Sequence, residues 1–272
     1  MKYKIFQICF DKEQISQCNS LIEPFDNTSN LKPELREFHS FNRIIDEGFV
    51  DDLDAWGVFG PRWQLKLKYP SQDLFDSIEN NPGMDVWIFN HVRVVSSLTI
   101  NVWEQGELVH KGMLKVTKAA FTNAGYSTSV FDSLMADNIC FSSYFVATKK
   151  FWIEYIKFLK IIKQSLESLT GECRDLYLGS ANYSRDKDLN MFPFIIERLF
   201  STFLTMNNFK VYSKPYDYSV YGDALGKSSD VINSLNELKK LSIKLNSYDI
   251  IHEWNVIRLY LLATNPKLLD LD

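Results

Sequence analysis

The chain has 272 residues, 46% hydrophobic and 24% charged, with only 11 glycines and 8 prolines, which excludes a low-complexity or disordered protein. A net charge of −4 and a pI near 5.7 argue against nucleic acid as a general partner. No apolar run approaches the roughly 20 residues that span a bilayer.

Lys4 to Phe10 is a compact apolar run suited to a buried first strand. Asn19 to Pro33 is polar and turn-rich, centred on Asp26-Asn27-Thr28-Ser29-Asn30, and reads as a long loop. A helix is predicted from about Pro33, with Leu35, Phe38, Phe41, Ile44 and Ile45 at helical spacing and Gly48 as its stop. Asp54 to Phe59 is the second strand, ended by Gly60-Pro61. Ser71 can cap a short helix through Ile78, and Asn80-Asn81-Pro82-Gly83 is a turn. Asp85 to Asn90 gives a third strand, and Ser143 to Thr148 another. Strands alternating with helices predict an α/β fold on a mostly parallel sheet.

From Lys149 to Leu169 the helical pattern is clearest. Trp152, Tyr155, Ile156, Leu159, Ile162, Leu166 and Leu169 share one face, opposite Lys149, Lys150, Lys157, Lys160 and Lys163. Further helices are predicted around 189–206, 230–246 and 249–264. With no repeat and no linker, the reading is one domain: an α/β core over 1–148 and a mainly helical part over 149–272.

Cys9, Cys18, Cys140 and Cys173 lack paired or ligand-like spacing and read as reduced thiols of a cytoplasmic protein. The start, Met1 to Gln7, is too short for a signal peptide. Nucleotide loops of the GxGxxG and P-loop types, HExxH and GxSxG are all absent from the sequence. Asp52-Leu53-Asp54 precedes a strand and Asp186-Lys187-Asp188 sits in a loop, so each reads first as a solvated acidic turn.

Four segments carry more chemistry than packing needs. Gly60-Pro61-Arg62-Trp63 places a guanidinium and an indole at the carboxyl end of a strand, where open α/β sheets bind ligands; its plain alternative is a strand-to-helix turn. Glu34-Leu35-Arg36-Glu37 opens a helix, where Arg36 either grips phosphate or is surface charge. Asn101 to Glu107, with His110 close behind, offers two carboxylates beside an indole, or simply a turn with exposed acids. Glu197-Arg198 lies inside an apolar helix, either as a structural pair or as the floor of a site; the structural role is favoured.

In order, these segments resemble a bacterial glycosyltransferase group: the galactofuranosyltransferase-like domains of O-antigen and capsule synthesis, and relatives with the GT-A type of nucleotide-sugar fold. The likeness spans about residues 1–206. It runs through Glu34-Leu35-Arg36, Trp56 to Trp63, Asp85 to Asn90, Asn138 to Phe151, and Glu197-Arg198-Leu199. Phe-Gly-Pro-Arg stands where that group has His-Tyr-Arg-Arg, so galactofuranose is not carried over as substrate.

The resemblance implies a GT-A-like sheet flanked by helices and transfer of a sugar from a nucleotide-diphosphate donor, UDP-linked, with a divalent metal (Mn or Mg) left open. It implies as acceptor a hydroxyl of a lipid-linked or oligosaccharide chain at the inner membrane face; the lysine stripe of 149–169 is either a peripheral contact with anionic lipid there or a solvated helix face, the latter favoured. Within that reading Glu104 or Glu107 is the base. Glu34, Arg36, Arg62, Asp85 and Asn90 bind the donor, and Trp63, Trp103 and His110 meet a sugar. A non-catalytic glycan-binding or assembly subunit of the same fold is the first alternative, and a sugar-phosphate hydrolase the second.

Overall fold

Alternation along the first strand decides the layering. In β1 (Tyr3–Cys9), Phe6 and Ile8 face one side of the sheet while Ile5 faces the other, and all three are buried. A strand buried on both faces needs helices on both faces. The protein, seen as a computed structural model describing residues 1–90, 92–181, 189–215 and 228–270, has that arrangement.

Six strands form one mixed sheet in the order β2-β1-β3-β5-β4-β6. They are β1, β2 (Glu23–Asp26), β3 (Ala55–Phe59), β4 (Val86–Ile88), β5 (Phe145–Thr148) and β6 (Val211–Ser213). All neighbouring pairs are parallel except those made by β5, which runs against β3 and β4. The alternating pattern predicted a mostly parallel sheet, and β5 is the exception.

One face is covered by the helices Glu37–Asp46, Lys149–Glu167 and Phe192–Met206. Trp56 of β3 stacks on Trp152 there, with ring centroids 5.6 Å apart. On the other face, Trp63, Leu67, Leu74 and Ile78 close over Ile5, Ala55, Phe59 and Trp87. Gly57 lets β3 and β5 approach; a Cβ there would lie 2.7 Å from the Phe145 carbonyl oxygen.

The strand and helix positions follow the apolar patterns closely, with four departures. The loop 19–33 contains β2, which buries only Phe25 and tolerates Pro24 because it is an edge strand. The helix foreseen at Pro33 is a 3-10 turn, Pro33–Leu35, broken from Glu37–Asp46 by Arg36, whose φ is 46°. Segment 101–110 is not a turn but the helix Val102–Val109, capped by Asn101, whose side chain accepts from the Trp103 and Glu104 N–H groups. The fourth is an element that was not foreseen: within the mainly helical part, β6 returns to the sheet beside β4.

A third apolar cluster lies apart from the sheet. Helices Ser228–Leu245 and Tyr248–Thr264 pack as a hairpin on the helix Arg93–Leu98, through Val94, Leu98, Ile232, Leu235 and Trp254. The last carbonyls of that inner helix are capped by hairpin side chains. Lys239 Nζ reaches Ser96 and Thr99 at 2.8 and 2.6 Å, Trp254 Nε1 reaches Ser97 at 3.2 Å, and Arg258 Nη1 reaches Leu98 at 3.0 Å. No helix among the described residues is long and apolar enough to cross a membrane.

Candidate functional site

Beyond the carboxyl ends of β3 and β4, and beside the start of β5, lies a cleft of about 440 Å³. Arg62 and Lys66 come from the segment after β3, Val92 from that after β4, and Ser142 and Ser143 from the approach to β5. The turn Pro33–Leu35 and the start of the next helix add Leu35, Arg36 and Glu37. The helix Phe192–Met206 adds Glu197 and Arg198.

Each of these positions has a local cause. Gly60 has no side chain where a Cβ would sit 3.8 Å from Glu37 Oε1, so the exit of β3 runs close beneath the start of the helix Glu37–Asp46. Ser142 and Ser143 both adopt left-handed backbone, with φ of 57° and 58°, an unusual state for residues that are not glycine. Glu197 holds that bend: its Oε1 accepts from the Ser142 N–H at 2.5 Å and from its hydroxyl at 3.2 Å. Lys66 Nζ donates to the same hydroxyl at 2.7 Å.

Charge is arranged in two groups. Arg36, Arg62 and Lys66 bring three cations to the cleft, and Glu37 and Glu197 bring two carboxylates. Desolvation pushes the Glu37 carboxyl above the ordinary carboxylate range. Its own backbone N–H opposes that shift, Glu197 adds to it, and Arg36 and Lys66 oppose it. Arg198, although it lines the cleft, is spent on structure. Its Nε donates to the Val102 carbonyl at 3.0 Å, Nη1 to the Phe194 carbonyl at 2.8 Å, and Nη2 to Gln105 Oε1 at 2.5 Å.

Of the sequence-predicted residues, Arg36, Arg62 and His110 meet at this cleft. His110 is nearly enclosed. Its Nδ1 lies 2.7 Å from the Ala181 carbonyl, and its ring lies tilted against Phe194, with centroids 4.0 Å apart. Burial lowers its pKa, and the carbonyl fixes the proton on Nδ1, so Nε2 is an acceptor.

The other expectations need correction. Trp63 and Trp103 are fully buried, so neither offers a ring face to a sugar; their indole N–H groups donate to Gln7 Oε1 and Thr202 Oγ1. Glu104 is committed to Arg258 at 3.1 Å and to the Ile100 N–H at 2.5 Å, on the side of the C-terminal hairpin. Glu107 accepts from the Gly112 and Leu114 N–H groups and caps the helix Met113–Asn123. Asp85 stands at the amino end of β4, away from the cleft, and accepts from the Lys210 N–H at 2.9 Å. Asn90 follows the carboxyl end of β4, but it is buried and closes a turn onto Val92 and Ser96. Glu34 is exposed and outside the lining.

Asp54 of the Asp52-Leu53-Asp54 stretch binds the Lys2 N–H at 2.7 Å, and Asp52 lies 3.8 Å from Lys2 Nζ. Asp186-Lys187-Asp188 lies outside the described residues. Among the described residues no group of three His, Cys, Asp or Glu side chains is placed to hold a metal ion.

Glu197 and Arg198 form the partly buried pair that the sequence favoured, 3.8 Å apart, and both also line the cleft. Glu37 lay in a quoted segment, but an acid in a first helical turn is too common to mark a site. Nothing in the sequence pointed to Lys66, Ser142 or Ser143.

No protein-family model matches the chain, and no curated protein matches it. Among solved structures, the apo structure of WbbM, a bifunctional glycosyltransferase, is similar with a TM-score of 0.46 and 14% identity. The match covers 78% of this chain and 44% of that one, so the chain spans less than half of that protein's length. A likeness this loose assigns no chemistry.

Proposed function

We propose that the protein is a glycosyltransferase that takes a sugar from a nucleotide-diphosphate donor and passes it to a hydroxyl of a growing bacterial surface polysaccharide. The observation that carries this reading is the pairing, in one cleft at the strands' carboxyl ends, of three cations with a carboxyl held above its usual pKa. A diphosphate leaving group needs positive charge as its bond to the anomeric carbon breaks. Arg36, Arg62 and Lys66 supply that charge. The acceptor hydroxyl needs a base stronger than a free glutamate, and Glu37, whose pKa burial raises, supplies it.

Glu197 has a different part in this proposal. One of its oxygens is occupied by Ser142, so it shapes the bend before β5 and raises the basicity of Glu37 through like charge. The ordered series of segments that resembles the O-antigen and capsule transferases supports the same reading. The donor carrier, UDP, and an acceptor on a lipid-linked or oligosaccharide chain follow from that resemblance. So does a peripheral contact with the inner membrane face.

A panel of nucleoside diphosphates, with and without manganese, read by thermal shift and followed by transfer assays, tests the proposal. Uridine diphosphate is expected to raise the melting temperature of the wild-type protein, and Arg36→Ala and Arg62→Ala to remove that shift. Failure of every diphosphate to stabilise the protein would sink the reading. Binding without turnover of any nucleotide sugar would point instead to a non-catalytic subunit.

A further inference from the structure

A second groove, of about 430 Å³, runs between the helices Glu37–Asp46 and Lys149–Glu167. Leu35 lines both this groove and the cleft, so the two depressions adjoin at the turn Pro33–Leu35. The donor chemistry proposed above makes no use of the groove, although its size lies within the range of small-molecule sites.

The lining is mixed in chemistry. Leu35 and Phe38 give apolar surface, while Asn42, Asp46 and Gln164 give amide and carboxylate groups. Two of the cations are already committed. Arg43 is bidentate on Glu47 at 2.7 and 3.1 Å, and Lys163 pairs with Glu167. Asn42 donates its Nδ2 to the Phe38 carbonyl at 2.7 Å, which keeps its Oδ1 as an acceptor.

His39 provides the sharpest observation. It lines the groove, and its Nε2 is shielded from water with no hydrogen-bond partner. Burial, then Arg43 and Lys32, lower its pKa, so the ring is neutral near pH 7, with one donor and one acceptor. A hydroxyl group, itself donor and acceptor, complements such a ring. Neutral imidazole, amide and carboxylate beside an apolar patch is the chemistry that grips a polyhydroxylated ring by its edges and its C–H face.

We infer that this groove is a saccharide subsite that takes the acceptor chain, whose reactive end passes Leu35 into the cleft. The inference rests on the transferase reading above for the direction of that chain.

The test uses the intact protein and NMR of its imidazole resonances, with His39→Gln to assign the ring. Short neutral oligosaccharides are titrated in one arm and inorganic phosphate in the other. At least one oligosaccharide is expected to shift the His39 ring. Combining Asn42→Ala with Gln164→Ala is expected to weaken that binding by about tenfold while leaving the thermal shift by uridine diphosphate unchanged. Three results overturn the inference: no oligosaccharide moves the ring, phosphate alone moves it, or binding ignores the double variant. If oligosaccharides bind the groove but no nucleotide stabilises the wild-type protein, the saccharide site stands and the donor reading alone fails.

Discussion

Lys66 and Glu197 meet through a single hydroxyl: Ser142 Oγ accepts from Lys66 Nζ at 2.7 Å and donates to Glu197 Oε1 at 3.2 Å. A cation and an anion lining the same cleft are thereby kept in fixed register. Ser142→Ala removes the hydroxyl but keeps the backbone N–H contact to Glu197. We expect kcat to fall about tenfold, with stability changed by only about 1 kcal/mol. Transfer assays beside denaturant melts separate the two effects.

Glu37 gives opposed expectations for activity and stability. Its folded-state pKa is raised, so its contribution to stability is fully present below its ordinary pKa and is lost as pH rises through the raised value. Glu37→Gln should therefore melt higher than the wild type above neutrality. The two proteins should converge below about pH 4, where the wild-type carboxyl is protonated in both states. The same change should lower transfer by about 10²- to 10⁴-fold and remove the acid limb of the pH–rate profile. A variant with normal kcat would take the base assignment away from Glu37.

Gly106 faces Arg198 at very short range. A Cβ there would collide with Met113 Cε and lie 2.5 Å from Arg198 Nε. The methionine tail can move, but the guanidinium is tied to Val102, Phe194 and Gln105. Gly106→Ala should cost about 2–3 kcal/mol in urea unfolding. Because Arg198 and Gln105 also line the cleft, it should also weaken nucleotide binding.

Glu104 tests the boundary between site and scaffold. Its carboxylate pairs with Arg258, which is nearly buried. Glu104→Gln leaves that guanidinium short of a counter-charge and should cost about 2–3 kcal/mol. Activity per folded molecule should stay within about twofold of wild type, because the residue lies outside the cleft lining. A large loss of kcat in protein shown to be folded would return Glu104 to the chemistry.

Lys239 is buried, and desolvation lowers its pKa from 10.5 to about 7. Glu104 and Asp137 favour its charged form and Arg258 disfavours it. Between those values the unfolded chain holds a proton that the folded chain releases, so this group makes stability rise with pH across that window. Melting temperatures of wild type and Lys239→Met, compared from neutral to alkaline pH, should show that rise in the wild type alone.

Most of the fold was legible because its strands and helices are written in runs of apolar residues. Trp56, Trp87 and Trp152 sit where their periodicity placed them. The site was legible only where backbone geometry leaves a chemical mark, as Gly60-Pro61 does before Arg62. The tryptophans misled because a large ring beside carboxylates looks the same whether it stacks on a sugar or fills a core. Glu104 and Glu107 misled because their partners, Arg258 and the backbone of 112–114, lie off the segment that was read. The left-handed bend at Ser142 and Ser143 left no mark at all, since serine carries no bias toward that conformation.

The capping of the helix Arg93–Leu98 has a consequence for the order of synthesis. Most helices close their final carbonyls with residues that follow at once, but here Arg258 reaches Leu98 across 160 positions. At about 5–20 residues per second on the ribosome, those carbonyls wait roughly 8–30 seconds for their partners. During that interval water must serve them, or a chaperone must shelter the apolar surface of Val94 and Leu98 beside them. The sheet can form as its strands emerge, whereas this corner is finished only once residue 258 has been made.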